Sequence, residues 1–159
     1  MAQEAIYPGT FDPVTFGHID VIKRASKIFE KVCVAVAKDT QKRTLFTLEE
    51  RVGLLKEAVK NIKNVEVESF SGLVIAYAKT KKVNILIRGL RAFSDFEYEF
   101  QMALTNRRLD ETIETVFLMP SEGSSFTSST LLKEAASLGA NVSSFVPDFV
   151  AKRLKEKLK

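Results

Sequence analysis

Cysteine and histidine occur once each among the 159 residues, tryptophan is absent, and proline appears only four times. A lone Cys33 cannot close an intramolecular disulfide, and one Cys with one His cannot build the usual Cys/His zinc site. Any catalytic imidazole has to be that of His18. No run of 18 apolar residues exists, so no membrane-spanning helix is expected. The opening Met-Ala-Gln-Glu-Ala-Ile-Tyr-Pro-Gly carries neither the basic n-region nor the long apolar stretch of a signal peptide. Together with the unpaired thiol, this leads us to expect a cytoplasmic protein. Excess charge of one sign is also scarce: 24 Lys and Arg against 20 Asp and Glu leave +4. That balance is too small to imply a nucleic-acid partner and suits at most a small anionic ligand.

What is present is the material of a folded domain. The length predicts one domain over 1–159, large enough to bury a core without a disulfide or metal staple. A content of 45% hydrophobic and 28% charged residues is ordinary for soluble globular proteins. Short β-rich runs at 5–7, 32–37, 65–67, 83–87 and 115–119 alternate with segments of helical period. Ile19, Ile22, Ala25 and Phe29 recur at helical steps, as do Leu48, Val52, Leu55, Val59 and Ile62. Thr47 and Glu50 form a capping-box pattern at the start of the second of these helices. Phe96, Phe100, Ala103 and Leu104 share one stripe of a third. A C-terminal helix over about 147–158 starts with Pro147 at N1 and carries Val150, Leu154 and Leu158 on one face. Strands joined by such long connections need right-handed crossovers. The expected fold is therefore α/β: a single doubly wound, five-stranded parallel sheet with helices on both faces.

Ligands of such sheets bind beyond the carboxyl ends of the strands, so the residues just after each strand matter most. The first strand runs into Tyr7-Pro8-Gly9-Thr10-Phe11-Asp12-Pro13-Val14-Thr15-Phe16-Gly17-His18. Here Gly9 would let a ligand or another backbone come close, and Thr10 offers a hydroxyl. His18 falls in the first helical turn, where free N–H groups favour an anion. Capping the helix or packing on Phe16 is an equally open reading of His18. No Walker loop and no Gly-x-Gly-x-x-Gly turn is present. Lys38, Lys42 and Arg43 follow the second strand, and three cations in six residues usually mean a solvated loop. Arg88-Gly89-Leu90-Arg91 ends the fourth strand, with bidentate donors suited to phosphate. Asp95, Glu97 and Glu99 follow, so a structural salt-bridge cluster stays open there. The Ser- and Thr-rich segment from Ser121 to Thr130 can cap the next helix, bind phosphate, or do both. Donors gathered at four strand ends point to phosphoryl or nucleotidyl transfer, which needs mainly positioning and charge stabilisation.

Tyr7-Pro8-Gly9-Thr10-Phe11-Asp12-Pro13 followed by Thr15-Phe16-Gly17-His18 resembles the signature of the nucleotidyltransferase superfamily, in which His often stands at the position of Thr15. The Thr-x-Gly-His form is similar to the bacterial phosphopantetheine adenylyltransferase family. So are Phe46-Thr47-Leu48-Glu49-Glu50-Arg51, Ile87 to Arg91, Asp95 to Glu99 and Phe126 to Thr130, in order from about residue 4 to about residue 150. The resemblance implies a Rossmann-like nucleotidyltransferase fold and transfer of the adenylyl group of ATP to 4′-phosphopantetheine. The products would be dephospho-coenzyme A and pyrophosphate. It also implies Mg²⁺ with the nucleotide, a homohexamer, coenzyme A as feedback inhibitor, and no nucleic acid or membrane partner.

By the same resemblance, the acceptor phosphate attacks the α-phosphorus directly. His18 and Thr10 would meet the α-phosphate, Lys42 would orient the attacking phosphate, and Arg91 and Ser129 would hold the β- and γ-phosphates. Phe11, Gly89, Leu90, Glu99 and the run Ser124, Ser125, Phe126, Thr127, Ser128, Ser129 and Thr130 would cradle ATP. Leu73, Val74 and Arg88 would contact the pantetheine side. Gly72 replaces an Asp found in some members and Ser124 an aromatic residue found in many; neither position carries the phosphate chemistry. Competing readings are another acceptor within the superfamily, a nucleotide sensor without turnover, and a nucleic-acid binder working through the Lys-rich tail.

Overall fold

The structure is a computed structural model that describes residues 3–91, 93–124 and 128–159. The chain forms strand β1 (Glu4–Gly9), helix α1 (Phe16–Ile28), β2 (Lys31–Ala37), α2 (Leu48–Val59), β3 (Val65–Phe70) and α3 (Val74–Lys81). It continues with β4 (Ile85–Gly89), α4 (Phe93–Leu109), β5 (Glu114–Leu118), a 3-10 turn (Glu122–Ser124), α5 (Ser129–Ser137) and α6 (Asp148–Lys157). All five strands pair in parallel in the order β3-β2-β1-β4-β5. The chain winds outward from β1 through β2 to β3, then returns to lay β4 on the other side of β1. The order therefore reverses between β1 and β4, which is where such a sheet opens a crevice at its carboxyl edge.

Alternation within the strands explains the two-sided core. Ala5, Tyr7, Val32, Val34, Val36 and Ile87 face one side, where they pack with Ile22 and Ala25 of α1, Leu55 of α2, Leu132 of α5 and Val150 and Leu154 of α6. Ile6, Cys33, Ala35 and Leu86 face the other, against Ile75 and Ala78 of α3. Each aliphatic side chain so removed from water contributes about 1.5–3 kcal/mol. Cys33 is thus a small core residue of β2, and burial pushes its thiol pKa up.

The capping box of α2 forms as expected: Glu50 N–H donates to Thr47 Oγ1 at 3.2 Å, and Thr47 N–H to Glu50 Oε2 at 2.9 Å. Glu50 also receives Arg153 at 2.9 Å and Lys157 at 2.8 Å, so part of the basic tail clamps α6 onto α2. Two expectations are corrected. Pro147 is the N-cap of α6 rather than N1, because its ψ of 151° is extended. β4 starts at Ile85, not Val83: Lys82 takes a left-handed conformation at the end of α3, and Val83 N–H still bonds back to Ala78. The stripe of α4 faces outward, with Phe96, Phe100 and Leu104 each about half exposed while Glu99 and Asn106 are buried.

Candidate active site

At the carboxyl edge of the sheet lies a cavity of about 580 Å³. Its wall draws on the segments after β1, β2 and β4, on the inner face of α4, and on the N-terminal turns of α1 and α5. Two helix N-termini and several cations facing one space make it suited to a polyphosphate.

The loop after β1 is built around Phe11. Its backbone is left-handed (φ 50°), and its ring is buried, edge-on to Tyr7 at 5.3 Å and to His18 at 4.9 Å. A Cβ on Gly9 would fall 2.8 Å from that ring. The approach that Gly9 permits is therefore Phe11's own, not a ligand's, which corrects the sequence expectation. Gly89 is similar, since a Cβ there would lie 3.2 Å from a methyl of Val21 on α1. Tyr7, buried beneath the loop, has its phenol pushed up to about 12 by burial.

Two buried charged groups hold this loop to its neighbours. Asp12 accepts from Phe46 N–H at 2.9 Å through Oδ1, and through Oδ2 from Leu45 N–H at 2.9 Å and the Lys133 ammonium at 2.6 Å. Arg51 reaches from α2 to donate through Nη1 to the carbonyls of Thr10 at 2.8 Å and Ala37 at 2.9 Å. It thereby ties the ends of β1 and β2 together, while its buried Nε has no partner among the described residues.

His18 occupies the third position of α1 and lines the cavity. Its N–H donates to Thr15 Oγ1 at 3.3 Å, and its Nδ1 accepts the Thr15 N–H at 3.0 Å. Burial, reinforced by the cations of Arg91 and Arg88, pushes the imidazole down to about 3. The capping and cavity-lining readings of His18 thus hold together.

Arg88, at the end of β4, donates through Nε and Nη2 to both oxygens of Glu99 at 2.8 and 2.6 Å, and through Nη1 to Pro8 O at 2.8 Å. Burial alone would lower its pKa, but the bidentate carboxylate outweighs that and holds it raised. The salt-bridge reading of this cluster is therefore realised for Arg88 and Glu99. Two guanidinium N–H groups remain for a ligand.

Thr10, Phe11, Lys42, Val74, Gly89, Arg91, Ser128, Ser129 and Thr130 also line the cavity. Lys42 is exposed on its loop. Ser128 caps α5 by accepting from Leu131 N–H at 3.1 Å, and Ser129 Oγ donates to Pro13 O at 2.9 Å. Leu73 is exposed at the start of α3 and Leu90 bonds to Leu118 O at 3.1 Å; neither is in the cavity wall. Ser124 ends the 3-10 turn, and Ser125, Phe126 and Thr127 lie outside the described residues. Among the described residues, sequence reasoning missed the supporting set of Asp12, Arg51 and Lys133, together with Asn106, a buried amide in the cavity wall. Arg51 was findable, since it falls in phase with Leu54 and Leu55 on the buried side of α2.

Residues 6–135 match the cytidylyltransferase-like family. The chain is 56% identical to a phosphopantetheine adenylyltransferase from Caldanaerobacter subterraneus subsp. tengcongensis, over 98% of this chain and 97% of that protein. It is 54% identical to one from Thermodesulfovibrio yellowstonii, over 100% and 99%. In fold it is similar to a nicotinate-nucleotide adenylyltransferase structure from Vibrio parahaemolyticus (TM-score 0.72, 18% identity, 97% of this chain and 99% of that one). It is equally similar to the nicotinic acid mononucleotide adenylyltransferase of Plasmodium falciparum (TM-score 0.72, 13% identity, 99% and 95%).

Proposed function

The chain belongs to the phosphopantetheine adenylyltransferases of the cytidylyltransferase-like family, and on that premise we propose how its residues carry out the transfer. The reaction moves the adenylyl group of ATP to 4′-phosphopantetheine and releases pyrophosphate and dephospho-coenzyme A, a step of coenzyme A synthesis. An oxygen of the acceptor phosphate bonds to the α-phosphorus as the bond to the bridging pyrophosphate oxygen breaks. The electron pair leaves with pyrophosphate, and no covalent enzyme intermediate forms.

The observation that supports this reading is the convergence of Thr10, His18, Lys42, Arg88, Arg91 and Ser129, drawn from four strand ends, on one cavity. A phosphate nucleophile is already ionised at neutral pH, so the site can work by positioning and charge stabilisation. The carboxylates of Asp12 and Glu99 in the cavity wall are engaged with Lys133 and Arg88. In our assignment His18 and Thr10 donate to the α-phosphate and Lys42 orients the acceptor phosphate. Arg91 and Ser129 hold the β- and γ-phosphates, and Arg88 and Val74 face the pantetheine arm, with Leu73 at its rim.

Mg²⁺ enters as part of the nucleotide. Among the described residues no three His, Cys, Asp or Glu side chains group to hold an ion. ATP phosphates and water would ligate it, and there it would neutralise charge on the leaving pyrophosphate.

We also assign one nucleotidyltransferase domain over 1–159, a cytoplasmic setting suited to the unpaired Cys33, and coenzyme A as a product-like inhibitor. A homo-oligomer, in our reading a hexamer, is supported by the outward stripe of α4, where Phe96 and Phe100 stack at 5.8 Å. Among the described residues no helix is long and apolar enough to cross a membrane.

Pyrophosphate release from ATP tests the function directly. It should require phosphopantetheine and be absent with nicotinate mononucleotide or glycerol phosphate. Release with either of the latter two alone overturns the acceptor assignment. Lys42→Ala should raise KM for phosphopantetheine by roughly tenfold or more, the scale of one charge-assisted hydrogen bond, and leave ATP affinity in calorimetry within about twofold. An equal loss for ATP would remove Lys42 from the acceptor side.

A further inference from the structure

We propose that Thr15 is a positioning residue that fixes His18 as a neutral imidazole carrying its proton on Nε2, the atom left to face the cavity. The proposal rests on the transfer reaction above and adds how its one imidazole is held in a single protonation state. A backbone N–H can only donate. The Thr15 N–H lies 3.0 Å from Nδ1, so Nδ1 offers it a lone pair, which disfavours both the Nδ1-protonated tautomer and imidazolium.

The Thr15 hydroxyl acts in the same sense. Its oxygen accepts the His18 N–H at 3.3 Å and stands 3.2 Å from Nδ1, so that its proton can share the Nδ1 lone pair with the backbone N–H. An ordinary capping box places Glu or Gln at the third helical position to receive the N-cap amide. Here His18 fills that position. The capping contacts that start α1 are therefore the contacts that set the imidazole's tautomer.

The surroundings agree. Arg88 at the end of β4 and Arg91 just beyond it present cations, and Tyr7 on β1 is a neutral phenol. Phe11 meets the ring edge-on. Glu99 of α4 is bound to Arg88, and Asp12 to Lys133 of α5. Nε2–H can then donate to a phosphate oxygen as charge builds there, without first requiring a proton from solvent.

His18 is the only histidine in the chain, so its two ring nitrogens can be read in the intact protein labelled with ¹⁵N-histidine. The free enzyme should show a protonated Nε2 and a bare Nδ1, unchanged from pH 8 to pH 5. Titration near the ordinary imidazole value of about 6.5, or a proton on Nδ1, overturns the proposal whatever the acceptor assay gives.

Thr15→Val keeps the backbone donor and removes the hydroxyl. It should lower kcat about tenfold, the scale of one hydrogen bond, and bring a second protonation state into the spectrum by pH 6. KM for ATP should stay within about twofold. Thr15→Ser should restore both readouts. A Val variant that melts earlier but keeps the wild-type spectrum and kcat would make Thr15 a structural cap and nothing more. If that variant does not fold, the wild-type spectrum and the Ser variant still decide. A correct spectrum with no phosphopantetheine-dependent turnover would overturn the acceptor reading instead.

Discussion

His18→Ala should slow adenylyl transfer by roughly 10²–10³-fold or more, the range for losing one preorganised transition-state donor, in a protein that still folds. The side chain lies in the cavity wall and makes its polar contacts with Thr15 through Nδ1, so truncation costs α1 one reciprocal cap and little of the core. Turnover within threefold of wild type would remove His18 from the reaction centre. Stability gives a second readout. Between about 6.5, the ordinary imidazole value, and about 3, the folded value, the unfolded chain binds a proton that the native state refuses. Stability therefore falls as pH falls through that window. The Ala variant lacks this contribution, so denaturant titrations at pH 7.5 and pH 4.5 should show wild type losing more stability than the variant. An equal loss in both would mean that His18 is not held neutral.

Much of the scaffold was legible because its signals are local. The apolar run of β2, the Thr47–Glu50 box and the face of Val150 and Leu154 each depend on neighbours a few positions away, and each appears as read. α3 gave no usable pattern because only Ile75 and Ala78 of its eight residues are buried, one helical step apart. The stripe on α4 was visible but not its direction. Periodicity reports an apolar face and does not say whether that face meets its own sheet or stands outward. At the site, the donors at the strand ends were legible, and so was the acidic cluster after β4 as a partner for the arginines, but not which carboxylate would meet which guanidinium. That Arg88 would be gripped by Glu99, eleven residues on, follows from α4 folding back over β4. Gly9 was read for the right property, close approach, but the group that approaches it is the ring of Phe11, and the approach of Val21 to Gly89 was not read at all.

Asp12→Ala should be among the most damaging single changes to stability, and its effect follows from what the carboxylate joins. Asp12 is 3% exposed. Its two oxygens receive amides 33 and 34 residues away and an ammonium 121 residues away. Truncation leaves the Lys133 charge and the Leu45 and Phe46 amides without their acceptor, and breaking a buried pair in this one-sided way costs about 3–5 kcal/mol. Against a total stability of about 5–15 kcal/mol, a chain of this length should melt roughly 6–20 °C lower. Asp12→Asn rescues little, because its NH₂ must face a donor on one side or the other. Lys133→Ala should cost less, since the carboxylate then keeps both backbone donors and the ammonium it loses was already partly exposed. Thermal melts of the three variants give this ranking directly, and a Lys133→Ala loss equal to that of Asp12→Ala would contradict it. The same carboxylate ties the start of α2, just beyond the Lys42 loop, and the α5 helix carrying Ser129 to the loop of Thr10. An Asp12→Ala variant assayed well below its melting point should therefore still show raised KM values for both ATP and phosphopantetheine. A purely thermal defect would leave both unchanged.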